Sequence, residues 1–129
     1  MHTKDIIYRD LKLENILMDD LGNVYLTDFG MAKIVRKNEL AMTFCGTPEY
    51  LSPEVILGYG CDRTADWWSL GILTYEMMYG LPPFYNKNQT IMFKLIKEGE
   101  LRFPDRPETT PMAKDFITKV YLIYIYILK

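Results

Sequence analysis

The sequence contains little cysteine, little net charge and no long apolar run, and each absence excludes a class of protein. The 129-residue chain has two cysteines, which is too few for a disulfide framework and is typical of a reducing compartment. Its net charge is −2, with 15 basic and 17 acidic residues, so it has no basic field to attract nucleic acid or a membrane surface. The longest apolar run, residues 120–128, is too short to span a bilayer. We see no signal peptide pattern and expect a cytoplasmic or nuclear protein with no nucleic-acid partner.

The residues that carry chemistry are concentrated near the start of the chain. Residues 8–15 read Y-R-D-L-K-L-E-N, and D-F-G follows at residues 28–30. Phosphoryl transfer from a nucleotide requires a carboxylate that orients the attacking hydroxyl, a cation that offsets charge on the transferred group, and two oxygen ligands for Mg²⁺. The sequence provides these groups in that order: Asp10 and Lys12 as candidate catalytic residues, and Asn15 and Asp28 as candidate metal ligands.

In these motifs, followed by S-P-E at residues 52–54, the chain resembles the eukaryotic protein kinases. Lys12, two residues after Asp10, is similar to the serine/threonine branch. Tyr8, together with T-F-C-G-T-P-E-Y at residues 43–50, resembles the AGC group, close to protein kinase B and its relatives. The resemblance implies an enzyme that uses ATP and Mg²⁺ to phosphorylate protein substrates with basic residues upstream of the target Ser or Thr. It also implies an upstream activating kinase.

The family's ATP-binding motifs are missing from the sequence. Neither a G-x-G-x-x-G loop nor a V-A-I-K lysine precedes residue 8. We therefore expect an α+β, mainly helical fold that corresponds to an incomplete C-terminal lobe, without the N-terminal lobe and the last helices. Residues 1–120 form the expected partial catalytic domain, residues 121–129 an atypical apolar tail, and the isolated chain is expected to be inactive.

Local patterns predict the main elements. Two β-prone runs around a Gly- and Asn-containing turn predict a hairpin of residues 16–18 with residues 24–27, after a short strand at residues 6–7. Helices are predicted at residues 53–57, 64–79 and 88–98 and from residue 112 onward. The helix at residues 64–79 is apolar on nearly every side and is therefore predicted to be buried all round. Residues 31–47 are predicted to be loop.

The resemblance also implies roles for residues that bind nucleotide or phosphate. The residues expected to contact ATP are Lys12, Asn15, Leu17, Thr27 and Asp28. Leu17 is equally consistent with a core position. Thr43 is the expected phosphorylation site, with Arg9 and Lys33 as its basic partners, because a phosphate can form charge-assisted hydrogen bonds with such groups.

Further roles concern the protein substrate and the support of the site. The expected substrate-binding residues are Glu14, Phe44, Thr47, Pro48, Leu51 and Glu76. Two carboxylates around one guanidinium give strong bonds, although Glu14 and Glu76 could equally be an internal ion pair or a solvated face. Glu54 and Asp66 are expected to be structural supports. Asp66 is expected to accept backbone N–H groups of the catalytic loop, residues 8–15.

Three other interpretations remain open. The chain could be a non-catalytic, kinase-like binding module, because positioning of the nucleotide is most of catalysis in this chemistry. It could be a truncated gene product. A small-molecule kinase shares a catalytic Asp and a downstream Asn, but the segment at residues 43–54 and the D-W-W-S-L-G stretch at residues 66–71 disfavour that class.

Overall fold

The computed structural model describes residues 1–127 and the side chains as far as Leu122. The fold is α+β and mainly helical, as predicted. In chain order the strands and helices are β1 (Ile6–Ile7), β2 (Ile16–Met18), β3 (Val24–Leu26), β4 (Lys33–Ile34), α1 (Pro53–Ile56), α2 (Thr64–Tyr79), α3 (Gln89–Glu98) and α4 (Pro111–Ile127). Short 3-10 turns occur at His2–Lys4, Leu13–Asn15 and Pro48–Tyr50.

The predicted hairpin is formed by β2 and β3. The strands are antiparallel, with Leu17 opposite Tyr25 at the centre of the register. The carboxylate of Asp19 closes the turn, because it accepts the backbone N–H groups of Leu21 at 3.0 Å and Asn23 at 2.8 Å. An aspartate that satisfies nearby backbone donors favours such a turn.

A second antiparallel pair joins β1 to β4, with Ile7 opposite Lys33. The sequence predicts β1 but places residues 31–47 in a loop, so the prediction misses β4. Each strand has two residues, which is too short for a periodic pattern to be recognised. The pairing is extended by a hydrogen bond of 2.7 Å from Val35 N to Asp5 O, which ties this segment to the residues before the catalytic loop.

Helix α2 lies at the centre of the molecule. Trp68, Ile72 and Leu73 on α2 are at most 3% exposed and pack with residues of the surrounding elements. The prediction that α2 is buried all round is nevertheless wrong, since Trp67 is 52% and Met77 57% exposed. The helix packs against α4 and the turn at Pro48–Tyr50, and within the described residues no element covers these two side chains fully.

Helix α3 begins where the sequence predicts, and one row of its apolar side chains is buried. The side chain of Asn88 caps the helix by accepting the N–H groups of Thr90 and Ile91. Met92 and Ile96 are buried, whereas Ile91 is 48% exposed. Residues four apart share a helix face, so the buried row is the one that starts at Met92 rather than at Ile91.

Helix α4 extends the packing past residue 120. Val120 lies against Gly71 on α2 so closely that a Cβ on Gly71 would approach Val120 Cγ1 to 3.0 Å. Tyr121, which the sequence assigns to the tail, contacts Trp68 and Phe84 and donates a 3.0 Å hydrogen bond to Gly99 O. The predicted tail also includes residues 128–129, which lie outside the described residues. Within residues 1–127, no helix is both apolar enough and long enough to cross a bilayer.

Candidate active site

The Asp10 carboxylate is the most completely held group of the site. Asp10 is only 4% exposed. Its Oδ1 accepts a 2.8 Å hydrogen bond from Thr47 Oγ1, and its Oδ2 accepts a 2.9 Å hydrogen bond from Asn15 Nδ2. Lys12 Nζ lies 3.1 Å from the same Oδ2. A buried carboxylate needs such donors, and here they fix the direction in which its oxygens point.

Thr47 joins the catalytic loop to the segment that precedes α1. Its hydroxyl donates to Asp10 and accepts a 2.9 Å hydrogen bond from Lys12 Nζ. Thr47 lies far from both residues along the chain, 37 positions after Asp10 and 35 after Lys12. Thr47 therefore adds a contact from the later segment to both the Asp10 and the Lys12 side chains.

The hairpin brings Asn15 next to the D-F-G motif. Asn15 directly precedes β2, and its carbonyl oxygen accepts the N–H of Thr27 at 2.9 Å and the hydroxyl of Thr27 at 3.2 Å. Asp28 follows Thr27 in a left-handed conformation with φ of 54°, and its carboxylate is exposed apart from a 3.1 Å hydrogen bond from Gly30 N. The fold therefore places residues 15 and 28 at the same end of one hairpin.

These two side chains fit a magnesium ion held together with a nucleotide. The Asn15 side chain uses its Nδ2 on Asp10, which leaves its Oδ1 as a possible ligand, and Asp28 offers carboxylate oxygens. Mg²⁺ prefers oxygen ligands and is usually bound through one or two protein groups together with phosphates and water. Within the described residues no group of three or more His, Cys, Asp or Glu side chains could hold a metal without such help.

Tyr8 is a site residue to which the sequence analysis assigns no role. Its hydroxyl donates a short hydrogen bond to Thr27 O. Its ring lies edge-on to the ring of Phe29, with the two centroids 5.5 Å apart. Burial raises the pKa of Tyr8 above its ordinary value, a hydrogen bond with Asn15 lowers it, and nearby carboxylates raise it further, namely Asp10, Asp28 and Asp66. Tyr8 thus packs between the catalytic loop and the D-F-G motif. Its position directly before Arg9-Asp10 is the signal that could have identified it.

Comparison with known protein families decides the identity of this arrangement. The family model for the protein kinase domain matches residues 1–123. The chain belongs to the protein kinase family. It is 53% identical over 118 residues to the serine/threonine-protein kinase YPK2/YKR2 of Saccharomyces cerevisiae, a match that covers 91% of this chain and 17% of that protein.

Two further relatives support the same assignment. The human serine/threonine-protein kinase Sgk1 is 48% identical over 118 residues, which is 91% of this chain and 27% of that protein. Protein kinase 2 of Dictyostelium discoideum is 49% identical over 121 residues, which is 92% of this chain and 25% of that protein. These similarities confirm the resemblance to serine/threonine protein kinases of the AGC group. The chain spans at most 27% of the length of these three relatives.

The kinase catalytic loop is anchored on Asp66 of α2. Asp66 Oδ2 accepts the N–H of Tyr8 at 2.9 Å, and its Oδ1 accepts the N–H of Arg9 at 2.8 Å. These are the backbone contacts that the resemblance implies for Asp66. Glu54 on α1 is 7% exposed, a burial that suits a structural residue. Both carboxylates are therefore buried.

The residues implied in phosphate binding lie on two adjoining segments. Arg9 follows β1 and donates from Nε to Met31 O at 2.7 Å, while its Nη1 is buried without a hydrogen-bond partner among the described residues. Lys33 on β4 pairs with Ile7 and is exposed, as is Thr43. The fold brings the backbone of Lys33 close to the catalytic loop, and the Thr43 side chain is accessible to another enzyme.

The two acidic residues implied in substrate binding lie around Tyr50. The Tyr50 hydroxyl donates a short hydrogen bond to Glu76 Oε2. The pKa of Tyr50 is raised well above its ordinary value, mainly by burial. The hydrogen bond to Glu76 and the charge of Glu76 raise it further, and the charge of Glu14 has a smaller effect in the same direction. Glu76 therefore contacts Tyr50 directly, whereas Glu14 acts on the phenol only through its charge. The sequence does not predict the contact between Tyr50 and Glu76.

The remaining implied contacts are divided between surface and core. Leu17 is 57% and Phe44 59% exposed, so both are available to a ligand. Pro48 is partly exposed. Leu51, in contrast, is 5% exposed and packs with Val55 in the second core cluster. Of the expected substrate contacts, Leu51 therefore lies in the core rather than at the accessible surface.

Proposed function

We propose that these residues serve a Mg-ATP-dependent protein kinase that transfers the γ-phosphoryl group to serine or threonine hydroxyls of protein substrates. The observation that carries the proposal is the buried Asp10 carboxylate, held by Thr47 and Asn15 beside Lys12. In phosphoryl transfer most of the catalysis comes from positioning and electrostatics. A carboxylate whose direction is fixed by three donors is suited to orient an attacking hydroxyl.

Each side chain then has a defined task. Asp10 orients the substrate hydroxyl and accepts its proton, and Lys12 offsets the charge that develops on the transferred group. Mg-ATP, when bound, supplies the phosphoryl group and a leaving group whose charge the metal neutralises. Asn15 and Asp28 would hold the metal, while Leu17 on β2 and Thr27 directly after β3 would contact the nucleotide.

We further propose that residues 1–120 correspond to the C-terminal lobe of the kinase domain and that the chain by itself does not turn over substrate. The described residues include neither a glycine-rich loop nor a strand lysine that could align the phosphates. The 57% exposure of Leu17 and 53% exposure of Phe29 support this view, because apolar side chains on the nucleotide side of the lobe are left for another part of the enzyme to cover.

The substrates we propose carry arginine upstream of the target residue. Glu76 keeps its second carboxylate oxygen after it accepts the Tyr50 hydroxyl, and Glu14 is exposed nearby. A guanidinium can bond to such carboxylates with charge assistance. Phe44, Thr47 and Pro48 would contact the segment that follows the target residue.

Phosphorylation of Thr43 by an upstream kinase is the proposed means of activation. Thr43 is exposed, and Arg9 directly precedes Asp10 while keeping Nη1 without a hydrogen-bond partner among the described residues. A phosphate carries about −1.5 to −2 charge and can accept several such bonds. Pairing of phosphorylated Thr43 with Arg9 and Lys33 would link the order of this segment to Asp10.

A second candidate function is a binding module for basic peptides that has no catalytic activity. The observation that favours it is that Tyr50 already holds Glu76, with the charge of Glu14 acting on the same phenol, although no residue described here supplies the glycine-rich loop. In that case peptides would bind with a dependence on salt but without any dependence on ATP.

A chimera tests the proposed activity. Residues 1–120 would replace the matching segment of the yeast kinase YPK2/YKR2, and phosphorylation of an arginine-containing serine peptide would be measured with Mg-ATP. We expect activity in the chimera, a loss of about 10²- to 10⁴-fold on Asp10→Asn, and no activity in the isolated chain.

The matched control is Asp20→Asn, since Asp20 is exposed in the hairpin turn and its replacement should leave activity unchanged. An active chimera that tolerates Asp10→Asn would contradict the role of Asp10. Turnover by the isolated chain that is lost on Asp10→Asn would contradict its proposed inactivity.

A further inference from the structure

Ser52, which directly precedes α1, is a buried serine whose hydroxyl has no evident task. The residue is 2% exposed, and its Oγ has no hydrogen-bond partner among the described residues. A serine before a helix often caps it by accepting an N–H of the first turn, but the Ser52 side chain makes no such bond. The kinase signature has alanine at this position. Because an unbonded buried hydroxyl is costly, its presence here requires another explanation.

The catalytic loop contains a second buried polar group of this kind. Arg9 donates from Nε to Met31 O at 2.7 Å, whereas its Nη1 is buried without a hydrogen-bond partner among the described residues. The backbone of Arg9 has a φ of 69°, a left-handed conformation that persists in such a residue only when its surroundings hold it. A further bond to the guanidinium would therefore support the residue directly before Asp10.

Ser52 and Arg9 line the same small cavity. Its volume is about 20 Å³, and one water requires about 10 to 15 Å³ and at least two polar partners. The cavity therefore accommodates one water molecule and is too small for a larger ligand. Thr47 and Ser69 also line it, but their hydroxyls already make hydrogen bonds within the protein. Ser52 Oγ and Arg9 Nη1 are the two lining groups that a water would satisfy.

The neighbouring Cys61 indicates that the guanidinium lies on the side of this cavity. Burial raises the pKa of Cys61 to about 11, and the positive charge of Arg9 is the main effect that opposes this shift. Cys61 also lines the cavity. Because the effect of a charge falls with distance, the Arg9 side chain must lie close to the wall that Cys61 forms.

We propose that Ser52 is a positioning residue that acts through one buried water, and that this water bonds to both Ser52 Oγ and Arg9 Nη1. The water accepts from Arg9, because a guanidinium only donates, and a hydroxyl can act either as donor or as acceptor toward it. The bridge joins the segment before α1 to the catalytic loop. It would hold the Arg9 side chain next to Asp10.

The bridge is compatible with the proposed pairing of Arg9 with phosphorylated Thr43. A guanidinium has five N–H donors. The bond from Nε to Met31 O and one bond to the water leave three for a phosphate. The catalytic meaning of the bridge rests on the proposed function, whereas the bridge itself can be observed without nucleotide.

A high-resolution crystal structure of the full, unaltered chain tests the bridge directly. We expect one ordered water within about 3.2 Å of both Ser52 Oγ and Arg9 Nη1. An empty cavity would overturn the proposal, and so would a water that bonds to only one of the two groups. This experiment needs no variant, so it decides the question even if a substitution prevents folding.

Two serine variants test whether the bridge positions Arg9. Ser52→Ala removes the hydroxyl of the bridge and introduces the residue of the kinase signature. The matched control is Ser69→Ala, which removes a hydroxyl from the same cavity that lies within bonding distance of the carbonyl oxygens of Tyr50 and Ala65. Solvent exchange of the Arg9 Nε–H would be measured by ¹⁵N NMR on the full chain, with the amides of α3 as internal references.

We expect Ser52→Ala to accelerate exchange of the Arg9 Nε–H about fivefold, and Ser69→Ala to leave it unchanged. The α3 amides should not respond to either variant. Unchanged exchange at Arg9 in Ser52→Ala, or equal acceleration in both variants, would overturn the proposal. Acceleration of the same size at the α3 amides would also overturn it, because it would indicate general destabilisation. None of these experiments uses ATP, so an inactive chimera would count against the proposed function and leave this result unaffected.

Discussion

At the residue scale, Glu76 offers a direct test of substrate recognition. Its carboxylate accepts the Tyr50 hydroxyl and keeps one oxygen for a guanidinium. Glu76→Gln should therefore weaken binding of an arginine-containing peptide about fivefold at low salt and less at high salt, because the attraction between exposed charges is screened. Isothermal titration calorimetry at two ionic strengths would measure the effect.

Two matched variants make the Glu76 experiment specific. Tyr50→Phe removes the hydrogen bond but keeps the carboxylate, so the salt dependence should persist. Glu98→Gln removes an exposed charge on α3 and should leave binding unchanged. An affinity that responds neither to Glu76→Gln nor to ionic strength would rule out the proposed substrate site.

Single residues of this site could be predicted when a motif fixes their chemistry, and not when their role depends on distant neighbours. The motif names Asp10, Lys12 and Asn15, and the fold brings them together. Nothing in the local sequence shows that Tyr50 reaches Glu76, 26 positions away, or that His2 reaches Asp66, 64 positions away. Such contacts are set by tertiary packing, which the periodicity of a short segment does not report.

At the element scale, the turn of the β2–β3 hairpin depends on the charge of Asp19. Side-chain and backbone hydrogen bonds from Asn23 hold the pKa of Asp19 below its ordinary value of 3.8. A carboxyl whose pKa is lowered on folding contributes stability above its unfolded-state pKa. That contribution is lost as the pH falls through the folded-state pKa. In Asp19→Asn, the free energy of unfolding should therefore decrease less steeply as the pH falls through the acid range (the acid limb).

Urea denaturation across the acid range would measure this effect for Asp19. Asp20→Asn is the control, because Asp20 is the exposed neighbour in the same turn and should leave the acid limb unchanged. Identical acid limbs for the original chain and Asp19→Asn would show that the turn does not depend on this charge. A change in both variants would instead reflect net charge.

Elements could be predicted where their signals are local. The hairpin turn, the Asn88 cap and the glycine that ends α2 at Tyr79 are all encoded within a few residues. The burial of each helix face could not be predicted in the same way. The exposure of Trp67 and the burial of Met92 depend on which neighbours pack against the helix. The strand β4 depends on a partner strand 28 residues earlier, since Ile34 pairs with Ile6.

At the scale of the whole molecule, α2 connects two core clusters, and α4 closes one of them. Tyr50, Trp68 and Phe84 belong to the first cluster, against which Tyr121 of α4 packs. The second cluster contains Ile7 and Leu51 and lies under the segment that supplies Thr47. The catalytic loop thus runs from the second cluster, which contains Ile7, to the first, against which Leu11 and Ile16 pack.

Tyr121 allows the closure by α4 to be tested through alkaline pH. Burial, followed by the charge of Glu100, raises the pKa of Tyr121, because ionisation would place a charge beside Trp68 and Phe84. The resulting stability is complete below the unfolded-state pKa of about 10 and is lost as the pH rises through the higher folded-state value. In Tyr121→Phe, the free energy of unfolding should therefore decrease less steeply as the pH rises above about 10 (the alkaline limb).

Tyr121→Phe has a second expected effect, which separates the contribution of the Tyr121 hydroxyl from that of its ring. Loss of the hydrogen bond to Gly99 O should lower the free energy of unfolding by about 1 kcal/mol at neutral pH, while the ring contacts remain. The alkaline limb should not become flat, since burial also raises the pKa of Tyr75. Urea denaturation at neutral pH and at about pH 10 to 11 would measure both effects. An alkaline limb of unchanged slope, with neutral stability also unchanged, would show that α4 does not bury Tyr121 in solution and that the first cluster is closed in another way.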